Sequence, residues 1–266
     1  MKEISDELWE RIEPLLSPFK RQKSGGSQAL PFRNILNGIL YVLITGCQWN
    51  MIPKEYGSKS TIHEHFQKWV ANKVFDQIFQ LLLEEYDSLK GINWEWQSSD
   101  GSLLQAPVHA GHSAFEGLGA NPTDRGRCGS KIHLLVDGDG MPLGVEIAGA
   151  HVHDSRLVSS TIEAIAIERP ETTEESPQHL CLDKAYDCER VELEVLAHNY
   201  QPHIRLLGEE KLDNTDKTKK KHPARRYVVE RTFAWLKGFR CLRTRYFCFG
   251  INYLAMVKLA CAIILI

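Results

Sequence analysis

The sequence of 266 residues lacks the features of a secreted or membrane protein. Its start, from Met1 to Trp9, does not have the basic and then apolar pattern of a signal peptide. The apolar run from Asn252 to Ile266 is short for a membrane span and contains Lys258, so it predicts a buried last helix. We therefore expect a cytoplasmic protein with no membrane partner.

Paired cysteines are also lacking. The seven cysteines are scattered, odd in number and form no C-x2-C pair, which argues against a disulfide framework. We expect reduced thiols that lie mostly in the core. Apolar residues make up 43% of the chain, which is enough for a sizeable core in one or two domains.

The small net charge of −2 conceals a strong asymmetry along the chain. Residues 91–204 contain 7 basic and 18 acidic residues, whereas residues 205–245 contain 13 basic and 5 acidic residues. A basic segment after an acidic middle is typical of a protein that holds metal ions beside a nucleic-acid backbone. A solvated loop followed by an ordinary charged helix would give the same pattern.

The first 90 residues have helical periodicity. A helix that begins after Ser5 is followed by helices over residues 32–43, 61–71 and 76–89. The glycine and serine turn before Ser60 resembles a helix-turn-helix, in which Lys59, Ser60, Thr61 and His63 would face DNA. Helix pairs with a glycine turn are common, so this signal is weak alone. Residues 1–90 are predicted to form a helical DNA-binding domain.

Residues 91–266 show the pattern of an α/β domain with a mixed sheet. Strands are predicted over residues 94–99, 131–136, 143–148, 179–183 and 202–206, and Asp137-Gly138-Asp139-Gly140 indicates a hairpin. Helices are predicted over residues 155–167 and 189–197, with a final helix pair after a basic loop. The run Lys219-Lys220-Lys221 in that loop would contact a DNA backbone, or simply be solvated.

Three carboxylates occupy positions from which they could converge. Asp100 and Asp183 are predicted to end strands, and Glu230 lies on the helix that follows the sheet. At 100° per residue, Arg226, Glu230 and Lys237 fall on one edge of that helix. Three carboxylates suit two Mg²⁺ or Mn²⁺ ions in phosphoryl transfer, since hard oxygen ligands bind these cations. An amphipathic helix with a solvated edge is the simpler alternative for that helix.

These residues carry a family resemblance. The Asp100-Gly101-Ser102 segment, the turn at Asp183 and the Val229-Glu230-Arg231-Thr232-Phe233 helix resemble DDE transposases of bacterial insertion sequences, families four and five. Their last motif is Y-x2-R-x3-E-x6-K, which Arg226, Glu230 and Lys237 match, whereas Pro223 replaces the tyrosine. Residues 46–53, 124–133 and 150–155 also resemble the family.

The resemblance implies a ribonuclease-H-like catalytic core behind a helical, helix-turn-helix-like DNA-binding domain. Asp100, Asp183 and Glu230 would be the catalytic residues and hold two Mg²⁺ or Mn²⁺ ions. Arg226, Arg231 and Lys237 would contact phosphates. The protein would act in the bacterial nucleoid on double-stranded DNA, both element terminal repeats and target DNA, as a homodimer or higher oligomer.

Other functions stay open at this point. A decayed copy would bind element ends and repress without cutting them, and a regulator would use only the N-terminal helices. A zinc hydrolase built around His151 and His153 is a further alternative, because paired histidines bind zinc.

Overall fold

A computed structural model describes residues 3–20, 29–107, 116–204 and 226–266. The N-terminal part is helical, as predicted. Ser5 caps the first helix, where its Oγ accepts from Leu8 N at 3.3 Å. Glycine ends the second helix, because Gly46 has a φ of 67° and its N–H donates to Val42 O at 2.8 Å. The helices are α1 (Asp6–Leu16), α2 (Phe32–Thr45), α3 (Lys59–Ala71) and α4 (Val74–Lys90).

A mixed sheet follows these helices. Its strands are β1 (Trp96–Gln105), β2 (Gly119–Ala120), β3 (Cys128–Val136), β4 (Pro142–Gly149), β5 (His179–Leu182) and β6 (Gln201–Ile204). Strand β3 pairs with β1 on one side and with β2 and β4 on the other, and all of these pairs are antiparallel. Strands β5 and β6 extend the sheet beyond β1 in parallel. Four antiparallel strands, β1 to β4, are thus continued by two parallel ones, and together they form the expected mixed sheet.

Further helices cover the sheet. They are α5 (Val158–Glu163), α6 (Glu189–Ala197), α7 (Arg226–Gly238) and α8 (Gly250–Ile264). Helix α7 packs against β1 and β3, and α8 packs against α4 and β4. The apolar core of the described residues is therefore continuous from the N-terminal helices to the sheet. In the described parts of the chain, no helix is both long enough and apolar enough to span a membrane.

Three local predictions were wrong. Asp100 does not end its strand, because β1 continues to Gln105, which pairs with Gly129. The helix predicted over residues 155–167 is limited to α5, because Ala166 N donates to Leu143 O at 3.0 Å and so joins β4. The cysteines are not mostly in the core, since only Cys241 and Cys261 are buried. Burial raises the pKa of both of these thiols to about 12.

Candidate active site

Asp100 lies on β1, and Asp183 directly follows β5, the parallel neighbour of β1. Residues 96–98 of β1 pair with residues 179–181 of β5. Extending this register by two positions would bring Asp100 opposite Asp183, at the ~4.8 Å spacing of neighbouring strands. Both side chains are half-buried. Each carboxylate accepts a hydrogen bond from the next backbone N–H, at 2.8 Å for Asp100 and 2.7 Å for Asp183, which fixes its direction.

Glu230 lies on the exposed side of α7, as predicted. The buried side of this helix carries Val229, Phe233 and Leu236, which hold it against the sheet. Thr232 Oγ1 donates to Gly140 O at 2.6 Å, so the turn between β3 and β4 also holds α7. The third carboxylate is thus on a helix that packs against the strand containing Asp100.

The donor chemistry of these residues fits a divalent metal. Asp100 and Asp183 provide carboxylate oxygens, one on β1 and one just after β5, and hard oxygen donors suit Mg²⁺ or Mn²⁺. Among the residues that the structure describes, however, no group of three or more His, Cys, Asp or Glu side chains is close enough to hold a metal ion. The grouping of Glu230 with the two aspartates therefore stays a prediction.

An ion pair packs against the strand that carries Asp100. Lys131 is 5% exposed, and its Nζ lies 2.8 Å from Asp154 Oδ1 and 2.5 Å from Val152 O. Asp154 packs so closely on β1 that a Cβ at Gly101 would lie 2.0 Å from its Oδ1. Only glycine fits at this position, directly after Asp100.

A second buried contact connects β3 with the turn after Asp183. His133 is fully buried and lies 2.8 Å from Thr161 Oγ1 and 2.9 Å from Tyr186 Oη. Thr161 Oγ1 donates to Leu157 O, so it accepts from His133 Nδ1–H, and His133 Nε2 accepts from Tyr186 Oη. Burial lowers the pKa of His133 to about 4, which keeps the ring neutral.

Sequence reasoning assigned no role to these buried residues. Lys131 and His133 are two positions apart on β3, and the alternation of a strand places both on one side of the sheet. Polar residues at alternate positions of a strand that is otherwise apolar could have indicated this arrangement. Their partners, Asp154, Thr161 and Tyr186, were not predictable from spacing.

The histidines of the zinc alternative have other roles. His153 caps a short 3₁₀ helix, because its Nδ1 accepts from Ser155 N at 3.3 Å and lies 2.9 Å from Ser155 Oγ. The next residue, Asp154, is held by Lys131. His151 packs against Gly119 and Gly149. The zinc alternative is therefore not favoured.

The predicted DNA-contacting residues occupy different environments. Lys59 and Lys237 are exposed, whereas Thr61 is half-buried and lies 2.9 Å from Ser58 Oγ at the start of α3. Arg231 is exposed, donates to Asp139 O and lies over the ring of Trp235. Lys219, Lys220, Lys221 and Pro223, and the side chain of Arg226, lie outside the described residues.

Comparison with known proteins identifies the family. Residues 4–79 match a family model described as "Putative transposase of IS4/5 family", and residues 98–265 match one described as "Transposase DDE domain". Two relatives from Burkholderia cepacia are similar to this chain. The "Putative transposase for insertion sequence element IS402" is 35% identical over 148 residues, which are 55% of this chain and 67% of the relative. The "Insertion element IS402 uncharacterized 16.2 kDa protein" is 38% identical over 123 residues, 45% of this chain and 80% of the relative.

Solved structures are similar only at a low level. The match to the Mos1 mariner paired end complex with Mn has a TM-score of 0.29 at 9% sequence identity, and it covers 96% of this chain and 83% of the Mos1 chain. The Mos1 strand transfer complex has a TM-score of 0.28 at 10% identity, with coverage of 91% and 87%. Scores this low carry no structural argument, so the family assignment rests on the sequence matches. The second family model spans more than half of the chain, and the protein therefore belongs to the DDE transposases of the IS4/5 insertion-sequence group.

Proposed function

We propose that this transposase binds the ends of its element and uses Asp100, Asp183 and Glu230 to cut and join DNA strands with two divalent metal ions, Mg²⁺ or Mn²⁺. One observation supports the proposal: β1, which carries Asp100, pairs in parallel with β5, which Asp183 directly follows. Helix α7, which carries Glu230, packs against the same strand.

The acidic and the basic side chains of this site would have different roles. When bound, the two ions would activate the attacking oxygen and stabilise the leaving oxygen of an in-line displacement. Asp100 and Asp183 would hold the ions in place, since backbone N–H groups fix both carboxylates. Lys237, which is exposed on α7, would neutralise a phosphate beside the reacting strand.

Two rounds of the same chemistry would complete the reaction. Water would first cut a DNA strand at the element end and leave a 3′-hydroxyl. That hydroxyl would then attack a phosphate of the target DNA. Arg226, Arg231 and the run from Lys219 to Lys221 would contact the DNA backbone during both steps.

The N-terminal helices would recognise the element end. In this proposal residues 1–90 form the DNA-binding domain and residues 91–266 the catalytic domain. Lys59 and Thr61 lie at the first turn of α3, where they would face double-stranded DNA. Synapsis of two element ends would require a homodimer or a higher oligomer on the DNA.

A cleavage assay tests this proposal. The purified protein is incubated with labelled DNA that carries its own element end, in Mg²⁺, in Mn²⁺ or in EDTA. We expect metal-dependent nicking at the element end that is lost in Asp100→Asn, Asp183→Asn and Glu230→Gln while DNA binding persists. Glu192→Gln changes an exposed glutamate on α6 and serves as the matched control, which should cut normally.

The opposite results select other functions. Binding of element ends without cleavage by the wild-type protein would favour a decayed copy or a regulator. Normal cleavage by Glu230→Gln would remove this residue from the site and leave the third carboxylate to be found elsewhere.

A further inference from the structure

An open hollow of about 610 Å³ lies where the end of β1 meets the last turn of α7. One wall is formed by residues 103–105 of β1, and the other by Ala234, Lys237 and Gly238 of α7. Arg243, which follows the helix, completes the lining. The two leucines and the alanine make the walls partly apolar.

The charged groups of this hollow have one sign. Lys237 and Arg243 are both exposed, and no carboxylate is among the lining residues. Asp124 accepts from Gln105 Nε2 at 3.1 Å, but it lies outside the lining. The hollow is thus suited to an anionic ligand.

Arg243 is oriented before any ligand arrives. Its Nε donates to Lys237 O at 2.7 Å, which satisfies a carbonyl in the last turn of α7 and restricts the guanidinium plane. Within the described parts of the chain, the terminal nitrogens of Arg243 have no hydrogen-bond or ion-pair partner, and neither does Lys237 Nζ. An oriented guanidinium with two open nitrogens matches the geometry of a phosphate.

Both walls of the hollow belong to elements that also carry proposed catalytic carboxylates. Leu104 is four residues after Asp100 on β1, a distance of about 13 Å at the rise of a strand. Lys237 is seven residues after Glu230 on α7, about 10 Å along a helix. Phosphates repeat every ~3.4 Å along the axis of one strand of B-form DNA. A phosphate in the hollow would therefore lie about three to four nucleotides from the reacting phosphate.

We propose that this hollow is a binding site for a DNA backbone phosphate, in which Arg243 binds the phosphate oxygens with two nitrogens and Lys237 adds a second positive charge. The inference rests on the proposed function, because it takes the substrate to be DNA whose reacting phosphate lies at Asp100. The apolar walls would contact the adjoining deoxyribose.

The first test measures binding of element-end DNA at several salt concentrations. Arg243→Gln should bind roughly tenfold more weakly near 0.1 M salt, the effect of one charge-assisted hydrogen bond. The slope of log affinity against log salt should fall by about 1. Arg240→Gln removes an exposed arginine that does not line the hollow, and it should bind within about twofold of the wild type. Equal losses in both variants would overturn the inference, because they would indicate general electrostatic attraction.

The second test locates the phosphate. Methylphosphonates, which are neutral, replace the phosphates one at a time within six nucleotides of the cut. Binding by the wild-type protein should fall at one position about three to four nucleotides from the cut. Arg243→Gln should not lose further affinity at that position, whereas Arg240→Gln should. A wild-type protein that is insensitive at every position would overturn the inference.

Two controls separate the possible failures. Arg243→Lys keeps the charge but not the paired nitrogens, so it should restore the salt slope and only part of the affinity; full recovery would contradict recognition by two nitrogens. Thermal melting verifies that each variant is folded.

If the wild type cuts DNA and Arg243→Gln binds like Arg240→Gln, the inference fails and the proposed function stands. If the wild type does not cut DNA, the proposed function fails, and the inference that rests on it fails as well.

Discussion

Acidification should destabilise this protein through His133. The side chain is fully buried between Thr161 and Tyr186, and burial lowers its pKa from 6.5 to about 4. Asp154 raises this pKa and Lys131 lowers it, but desolvation is the largest cause. The native structure therefore disfavours the protonated ring.

The direction of the effect follows from proton linkage. Because the pKa of the folded state is the lower one, the unfolded chain binds more protons between pH 6.5 and pH 4. The contribution of His133 to stability is fully present above pH 6.5 and is lost as the pH falls through this window. The difference in pKa corresponds to a total on the order of 3 kcal/mol, of which about 2 kcal/mol is lost by pH 5.

Urea unfolding at pH 7.5 and pH 5 measures this loss. His133→Gln cannot titrate, so the difference in free energy of unfolding between wild type and variant should shrink by about 2 kcal/mol at the lower pH. Asp137 and Glu146 have pKa values raised by burial and change stability in the opposite direction, but they are common to both proteins and cancel. His153→Gln, which changes an exposed histidine, is the matched control for the substitution itself. A constant difference between wild type and His133→Gln at the two pH values would refute the argument.

Two further predictions concern the ion pair between Lys131 and Asp154. Gly101→Ala should destabilise the protein by about 1–3 kcal/mol and abolish cleavage, because the new Cβ would lie 2.0 Å from Asp154 Oδ1. Gly238→Ala meets nothing within 4 Å and should change stability by less than about 0.5 kcal/mol. Thermal unfolding would verify both effects on stability, and the cleavage assay would verify the loss of activity in Gly101→Ala. Lys131→Met should cost about 3 kcal/mol in chemical unfolding, since it leaves the charge of Asp154 half-buried without its partner. Adding Asp154→Leu to Lys131→Met should recover part of that loss, and no recovery would argue against the ion pair as the cause.

Sequence patterns predicted the local elements well where neighbouring residues determine them. Ser5 and the apolar spacing of Trp9, Ile12, Leu15 and Leu16 predicted α1, which forms as expected. The hairpin at residues 137–140 was also predicted, and Asp137 Oδ1 accepts from Asp139 N and Met141 N to stabilise it. Such signals are local, so they can be seen without the rest of the fold.

The errors occurred where distant residues compete for the same backbone. The segment after Glu163 has the periodicity of a helix, but it hydrogen-bonds to β4 instead. Asp100 was predicted to end its strand, yet the pairing of β1 with β3 carries the strand on through Gly101 to Gln105. Glycine is needed there because Asp154 approaches closely, and that approach depends on the position of Lys131.

The sequence alone determined the types of the elements, the charge asymmetry and the candidate carboxylates, because these depend on residue identity and short-range spacing. Only the tertiary structure paired the strand of Asp100 with the strand that precedes Asp183, buried His133 against Tyr186 and brought Arg243 to the end of β1. These arrangements join residues that are 53 or more positions apart, such as His133 and Tyr186. Strand register and helix packing fix them, and both are decided by the burial of the whole core.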